Sequence, residues 1–441
     1  MIKNKINLSE LEIENIENLN YREKEVRLNS LKLLLRNDDL ISLYNEKKKY
    51  FLVNNHIHTK YSFSPYSPTK AIWMAYNTGL TTAGIMDHES VMGGLEFKQA
   101  GKITGIATTT GMEFRADFSD TKLNNRKINH PDQNSIAYIA IHGIPESKIV
   151  LVDEYFEKYR KIRNQRNREM VDNINTLLKD FSIKLDFDKD ILSVSNYYEK
   201  GTVTERHILY GLVESLVKNY GRGVTLINFL KNDFGIEISP KVKKYILDNS
   251  NKNYKYDILG LLKSELLEKF YIDAKEECPN IKDVISFNKK IGGIIAYAYL
   301  GDVNDSVTGD KKSQKFEDDY LELLFEELKN LGFDAITYMP SRNTLEQLNR
   351  IRHLANRYNL FQISGEDINS PRQSFICKEL ERPEFFNLIE STWALIGHEY
   401  EANKSLDRGM FSDLIKNKYP NINERVEFFA KIGKEIGGVK D

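Results

Sequence analysis

The strongest constraint on the fold of this chain is a repeated alternation of short apolar segments with longer amphipathic ones. Seven apolar segments have the length and composition of β-strands, and they lie near residues 51, 82, 106, 138, 294, 335 and 362. Segments between them, such as 67–79, 314–332 and 343–359, have the three- and four-residue spacing of helices. Because strands that alternate with helices pair in parallel, the pattern predicts a parallel α/β fold.

Three other regions have a helical pattern throughout. We expect an N-terminal helical extension over residues 1–49 and a helical insertion over residues 151–290. The insertion divides the α/β part into residues 50–150 and 291–380, and residues 381–441 form a C-terminal helical region. An insertion at this place is expected to cover one end of the sheet and to select what reaches it.

Composition limits the class of protein. The chain has 441 residues, with 63 Lys and Arg against 64 Asp and Glu, whereas a general nucleic-acid coat protein carries a basic excess. The two cysteines, Cys278 and Cys377, are too few for a disulfide framework or a Cys-based zinc finger. The longest apolar run, residues 291–300, is too short for a bilayer, and the acidic N-terminus is unlike a signal peptide. We therefore expect a cytoplasmic protein with no membrane partner.

Residue types that bind metals collect at the ends of the predicted strands. His56 and His58 end the first strand, and their two-residue spacing puts both imidazoles on one face. Later strands end in His88, Glu113, His142 and Asp367. In a parallel barrel the carboxyl ends of the strands meet at one mouth, so these six side chains are predicted to converge there. Imidazole and carboxylate without thiolate suit zinc, manganese or iron.

The segment FLVNNHIHTKYSFSPYSPTKAIWMAYNTGLTTAGIMDHES runs without a gap from the His-x-His pair to Asp87-His88. It resembles the opening of the PHP family (polymerase and histidinol phosphatase), and the resemblance continues in order through residues 51–118, 136–145 and 290–372. The resemblance implies a distorted seven-stranded (β/α)7 barrel, similar to a TIM barrel, with up to three metals in its mouth. It also implies the hydrolysis of phosphate esters, which many members of the family perform.

By this resemblance His56, His58, Glu113 and Asp367 hold one metal, and all four residues are present. Glu113 and Asp367 are the predicted catalytic residues. A bound divalent metal lowers the pKa of water and supplies hydroxide near neutral pH, and this hydroxide is expected to attack phosphorus.

Other metal positions of the family are changed in this sequence. Three expected ligands are replaced, by Phe63, Tyr299 and Asn369. A second site is expected at Glu113, His142 and Tyr299, with the phenol oxygen as an unusual third ligand. A further site at His88 has lost its two partner ligands and depends on oxygen ligands from Asn369 and from Glu89 or Glu366. The sequence therefore predicts one complete metal site, with a second or third that is incomplete.

With fewer metals, cationic side chains take more of the transition-state charge. The predicted substrate-binding residues are Arg206, His207, Arg342, Arg372 and Lys311, the last followed by Lys312. The segment ERH is similar to an Arg-Pro-His segment of the nucleotide-hydrolysing branch of the family. We expect a small phosphorylated substrate, such as a nucleotide or a short oligonucleotide, with nucleic acid as a substrate only.

Two alternatives remain open from the sequence. The barrel is either an active phosphoesterase or a degenerate metal- or ligand-binding scaffold, because three ligand positions are changed. An amidohydrolase also has His-x-His on its first strand, but it needs a Lys ligand, and no Lys ends a predicted strand. His130 and His353 are expected at the surface, and His398 lies in the C-terminal helical region.

Overall fold

The computed structural model describes residues 8–303 and 315–439. Within these residues seven strands form one sheet, in which the strands follow the order of the chain. The strands are β1 (Val53–Ile57), β2 (Thr82–His88), β3 (Ala107–Asp117), β4 (Ile136–His142), β5 (Ile294–Tyr299), β6 (Ala335–Tyr338) and β7 (Phe361–Ser364). Each strand lies near a position that the sequence predicts, so the prediction of a seven-stranded α/β fold is confirmed.

The direction of one strand differs from the prediction. The pairs β1–β2, β2–β3, β5–β6 and β6–β7 are parallel, whereas β4 is antiparallel to both β3 and β5. Parallel neighbours need a crossover connection, usually a helix, and residues 118–135 between β3 and β4 contain none. The carboxyl end of β4 therefore lies at the opposite end of the sheet from the carboxyl ends of the other six strands.

The sheet curls until its first and last strands meet. Ile57 forms an isolated parallel bridge with Ile368, just beyond β7. The N–H of His58 donates to the carbonyl of Ile368 (2.9 Å), and the N–H of Ile368 donates to the carbonyl of His56 (3.0 Å). These bonds bring the paired histidines of β1 beside the residues that follow β7.

Helices surround the sheet in three groups along the chain. The first group comprises α1 (Glu10–Asn18), α2 (Lys24–Leu34), α3 (Asp38–Lys47), α4 (Pro68–Thr78) and α5 (Gly93–Thr104). The second comprises α6 (Ile149–Leu177), α7 (Glu205–Tyr220), α8 (Val224–Asn228), α9 (Pro240–Leu247), α10 (Tyr254–Phe270) and α11 (Ile281–Ile291). The third comprises α12 (Leu321–Leu331), α13 (Leu345–Arg357), α14 (Phe386–Lys404), α15 (Asp413–Lys418) and α16 (Ile422–Ile436).

Apolar side chains are buried in distinct cores. The largest lies around the sheet, and it includes the start of α6 and the apolar face of α11. A second core lies within the insertion, from Met170 to Phe270, and Phe63 of the sheet region belongs to it. A third joins α2 and α3 to α4 and α5, where Arg27 forms a buried ion pair with Glu96. The N-terminal extension and the insertion are thus packed against the α/β part.

Helix α14 covers the end of the sheet where β4 finishes. The N–H of Thr110 donates to Glu399 Oε2 (2.6 Å), and Asn55 Nδ2 donates to Thr392 Oγ1 (2.8 Å). Because α14 covers this end, the opposite end of the sheet is the one left for a functional site. Across the described residues, every helix is too short or too polar to cross a membrane.

Candidate metal centre

A β-bulge in β1 turns the two histidines toward the interior of the curled sheet. Between Asn54 and Ile57, β1 advances three residues while β2 advances two. The extra residue reverses the alternation of side chains along the strand, and bulges re-aim side chains in this way next to active sites. His56 and His58 consequently share the interior face with Glu113 of β3.

Five donor side chains converge at this end of the sheet. The Nε2 atoms of His56 and His58 are 3.2 Å apart, and Asp367 Oδ1 lies 3.1 Å from His58 Nε2. Glu113 Oε2 lies 3.7 Å from His56 Nε2, 4.0 Å from His58 Nε2 and 3.3 Å from His88 Nδ1. Ligand atoms about 2.1 Å from a tetrahedral ion are roughly 3.4 Å from one another. The spacing of the His56, His58 and Glu113 atoms therefore fits a shared metal ion, while Asp367 lies beside His58 and His88 beside Glu113.

The pKa shifts of two cluster residues, His88 and Glu113, suit a metal as well. Burial lowers the pKa of His88 to about 3, so its imidazole is neutral near neutral pH. Burial raises the pKa of Glu113, but the rings of His56, His88 and His58 outweigh it and hold that pKa below its usual value. Metals bind neutral imidazole and ionised carboxylate. Three imidazoles and two carboxylates without thiolate suit zinc, manganese or iron, as the sequence predicts.

A chain of hydrogen bonds fixes the tautomer of His58. Both oxygens of Asp87 accept hydrogen bonds, from Ser62 Oγ and from the backbone and hydroxyl of Thr59, each at 2.6 Å. Because the Ser62 hydroxyl donates its only proton to Asp87, its oxygen acts as the acceptor for His58 Nδ1, which lies 3.2 Å away. With Nδ1 bonded to Ser62, the Nε2 atom of His58 is the one that faces the cluster, and it would ligate a metal once its proton, shared with Asp367 Oδ1 at 3.1 Å, is displaced.

The structure does not assemble the predicted second site at Glu113, His142 and Tyr299. Ala140 is the register partner of Glu113, and His142 lies two residues farther toward the α14 end, or roughly 7 Å along the strand. Tyr299 lies on the outer face of β5, and its hydroxyl donates to Asp318 (2.6 Å). The prediction placed His142 at the mouth because it took β4 to be parallel.

The other two changed positions have structural partners. Asn369 Nδ2 donates to Asp367 Oδ1 (2.8 Å), so it holds a ligand in place. Phe63 is buried in the core of the insertion, where its ring lies 5.0 Å from that of His207 and 6.0 Å from those of Tyr210 and Tyr256. The position that the resemblance assigns to a metal ligand thus anchors the insertion at the mouth.

The predicted cationic residues have different surroundings. The guanidinium of Arg206 has no hydrogen bond or ion pair to another described residue. Burial raises the pKa of Asp367, but His58, His56 and the guanidinium of Arg206 together hold it well below its usual range. Arg342 donates through Nε to the carbonyl of Leu300 (3.1 Å) and is also within electrostatic reach of Asp367.

The remaining candidates are engaged elsewhere or lie outside the described residues. Arg372 forms a two-point ion pair with Asp257, at 2.6 and 2.8 Å. His207 Nδ1 accepts from the N–H of Thr204 (3.0 Å) and closes the start of α7, so it is a buried capping residue. Lys311, with Lys312, falls outside the described residues.

Two arginines of helix α6 bind Glu89, the residue that follows His88. Glu89 has a positive φ of 45°, a conformation that costs a non-glycine residue about 1–3 kcal/mol. Arg160 donates to the Glu89 carbonyl (2.8 Å), and Arg163 forms an ion pair with the Glu89 side chain (2.6 Å). The Glu89 N–H donates to the carbonyl of Glu113 (2.8 Å). Two arginines of the insertion therefore hold the strained end of β2.

Sequence reasoning missed residues that lie beside the cluster. His130, which the sequence places at the surface, is only 2% exposed and stacks on Tyr138, with ring centroids 5.3 Å apart. Asp87 and Ser62 support His58 as described above. Asp87 adjoins a predicted ligand in sequence, but nothing in the sequence pairs it with Ser62. His353 is exposed, as predicted.

Comparison with known proteins gives distant likenesses only. No family model and no curated protein matches the chain. One similar solved structure is a candidate metal-dependent phosphoesterase from Bifidobacterium adolescentis, with 20% identity over 76% of this chain and 96% of that one, and a TM-score of 0.48. Another is an amidohydrolase from Chromobacterium violaceum with bound sulfate and no metal, with 16% identity over 77% and 96% of the two chains and a TM-score of 0.46. Both likenesses are too distant to assign a role to any residue.

Proposed function

We propose that the chain is a metal-dependent hydrolase of phosphate esters, built on a barrel of the PHP type. The observation that carries this proposal is the convergence of His56, His58, His88, Glu113 and Asp367 at one end of the sheet. The proposed substrate is a small phosphorylated molecule, such as a nucleotide or a short oligonucleotide. The insertion anchored by Phe63 lies over this end and limits the size of what enters.

The ligand atoms of His56, His58 and Glu113 lie close enough to share one divalent ion, for which zinc, manganese and iron are the candidates. Such an ion, when bound, lowers the pKa of water toward neutrality and acts as a Lewis acid on phosphoryl oxygens. The carboxylates of Glu113 and Asp367 offset its charge, while Ser62 and Asp87 keep the His58 ring in its ligating tautomer. Arg206 and Arg342, both close to Asp367, bind phosphoryl oxygens and orient the ester.

The second candidate function is a ligand-binding scaffold without catalysis. The observation that favours it is that Phe63 and Tyr299 serve packing and hydrogen bonding in place of metal binding. A centre with a single ion lacks the paired metal that normally stabilises the leaving oxygen. Binding of a phosphorylated ligand without turnover distinguishes this function from hydrolysis.

The first experiment measures metal content by ICP-MS on protein purified without chelator. The His58→Ala variant is compared with His353→Ala, which removes an exposed histidine of α13. We expect at least one transition metal per chain in the wild type and in His353→Ala, and a loss of metal in His58→Ala.

A panel of phosphate esters is then tested with the metal-loaded protein, and thermal unfolding confirms that His58→Ala is folded. Turnover that disappears in His58→Ala and persists in His353→Ala supports the hydrolase. If the metal-loaded wild type hydrolyses no ester of the panel, the hydrolase proposal fails. A phosphorylated ligand that then still binds favours the scaffold.

A further inference from the structure

Tyr138 lies on the interior face of β4, directly across from the metal-binding strand. It is the register partner of Arg115, and its neighbour Ala140 is the partner of Glu113. Side chains of directly paired residues share a face of the sheet, so the Tyr138 ring lies on the same face as the Glu113 carboxylate. The antiparallel direction of β4 is what places this tyrosine, and not His142, at the open end.

The ring of Tyr138 is fixed on two sides. It stacks on His130 with an interplanar angle of 11°, and its centroid lies 6.1 Å from that of His88. Asn129 holds the backbone of Tyr138, because its Oδ1 accepts from the Tyr138 N–H (2.7 Å) and its Nδ2 donates to the Tyr138 carbonyl (2.8 Å). A residue held in this way can present its hydroxyl in one position.

The hydroxyl itself is free for a ligand. Within residues 8–303 and 315–439, the Tyr138 oxygen has no hydrogen-bond partner, and the residue is half-buried. The Tyr138 oxygen lies within electrostatic reach of Arg115, Glu205 and Glu113. A phenol keeps its proton at neutral pH, since its ordinary pKa is about 10. The group is therefore a fixed donor at the edge of the cluster.

We propose that the Tyr138 hydroxyl donates a hydrogen bond to an oxygen of the phosphate group bound at the metal centre. This inference rests on the proposed function and adds a neutral donor to the two guanidinium groups, Arg206 and Arg342, that act on Asp367. A preorganised donor of this kind stabilises negative charge on the phosphoryl oxygens as the ester is cleaved. No proton transfer is required of the phenol.

The test compares Tyr138→Phe with Tyr76→Phe. Tyr76 is a buried tyrosine of α4 that stacks on Tyr44, so the control removes the same oxygen from the outer layer. For each protein we measure metal content, kcat and KM for an ester that the wild type cleaves, and the dissociation constant of inorganic phosphate by calorimetry.

We expect Tyr138→Phe to keep its metal, to lose about 10- to 100-fold in kcat, and to bind inorganic phosphate about tenfold more weakly. Tyr76→Phe is expected to match the wild type in all three measurements. Equal kcat and equal phosphate affinity in Tyr138→Phe and wild type overturn the inference. Loss of metal from Tyr138→Phe also overturns it, because the phenol is then a ligand.

The proposed function and this inference fail separately. If the wild type cleaves no ester, the hydrolase proposal fails, and the phosphate titration still decides the inference about Tyr138. If the wild type cleaves an ester and Tyr138→Phe does so equally well, the inference fails and the hydrolase proposal stands.

Discussion

Replacing Phe63 by Ala should loosen the insertion from the mouth of the sheet. Phe63 is 6% exposed and is the part of the insertion core that comes from outside the insertion itself. Truncation of a buried phenylalanine to alanine typically costs about 3–5 kcal/mol. Domains of ordinary stability unfold with about 5–15 kcal/mol, so the loss is a large fraction of the total.

The control for this prediction is Phe187→Ala. Phe187 belongs to the same core and is 5% exposed, but its ring faces Arg168, with the guanidinium 4.4 Å from its centroid. Both variants should lower the free energy of unfolding in urea by a similar amount. Phe63→Ala alone should also expose the cluster, because it removes the apolar contact that Phe63 makes between the insertion and the segment that follows β1.

The assay for exposure is the rate at which a chelator removes the metal from the folded protein. We expect this rate to rise at least severalfold in Phe63→Ala and to stay near that of the wild type in Phe187→Ala. If Phe63→Ala does not fold, Phe63→Leu keeps most of the apolar volume and is used instead. A stability loss under about 1 kcal/mol for Phe63→Ala, or equal metal-release rates in the two alanine variants, would refute the anchoring role.

Three further predictions follow from the same contacts. Ser62→Ala should weaken metal binding by about 10- to 100-fold, since it frees the His58 ring, and Ser64→Ala should not; competition with a chelator measures both. Burial raises the pKa of Glu317 from 4.5 to about 8, so the folded protein keeps a proton that the unfolded chain releases. Stability from Glu317 is complete below pH 4.5 and is lost as the pH rises through 8, and its contribution to the slope is up to about 1.4 kcal/mol per pH unit. Glu317→Gln should reduce the slope by this amount in urea titrations, and the buried carboxyls of Asp334 and Glu399 should keep the rest. Gly433→Ala should lower the free energy of unfolding by about 1–3 kcal/mol or more, since its Cβ would lie 1.9 Å from a backbone oxygen of α14. Gly260→Ala has open space around it and should instead stabilise α10; thermal unfolding measures whether each variant melts below or above the wild type.

The positions of the strands and of the main ligands could be predicted because both are local properties of the sequence. Strand segments are short apolar runs, and His56 and His58 owe their common face to a spacing of two residues. Glu113 and His88 are register partners on adjacent strands, so correct strand assignment was enough to bring them together. Asp367 follows the last strand, and the bridge to β1 returns it to the first.

The rest depends on contacts between distant parts of the chain. The antiparallel direction of β4 follows from the connection between β3 and β4, which has no helix. The absence of a helical pattern in this connection was visible in the sequence. The reversal moved His142 away from the cluster and brought Tyr138 to it. The burial of His130 could not be predicted from its polar loop, because it depends on stacking against a strand that follows it in the chain. The burial of Phe63 similarly depends on contacts with helices that lie about 145–195 residues later in the chain.

The proposed single metal centre is compatible with the roles that the changed ligand positions have in the structure. Phe63 docks the insertion, Tyr299 binds Asp318 on the outer face, and Asn369 holds the Asp367 carboxylate. These residues do not weaken the cluster at His56 and His58, because none of them occupies the position of a metal ligand that the sequence retains. A centre of this kind must place more of the transition-state charge on protein donors. Two guanidinium groups near Asp367 and a fixed phenol across the sheet are donors of the required kind, and variants that remove them should therefore lower kcat while the metal stays bound.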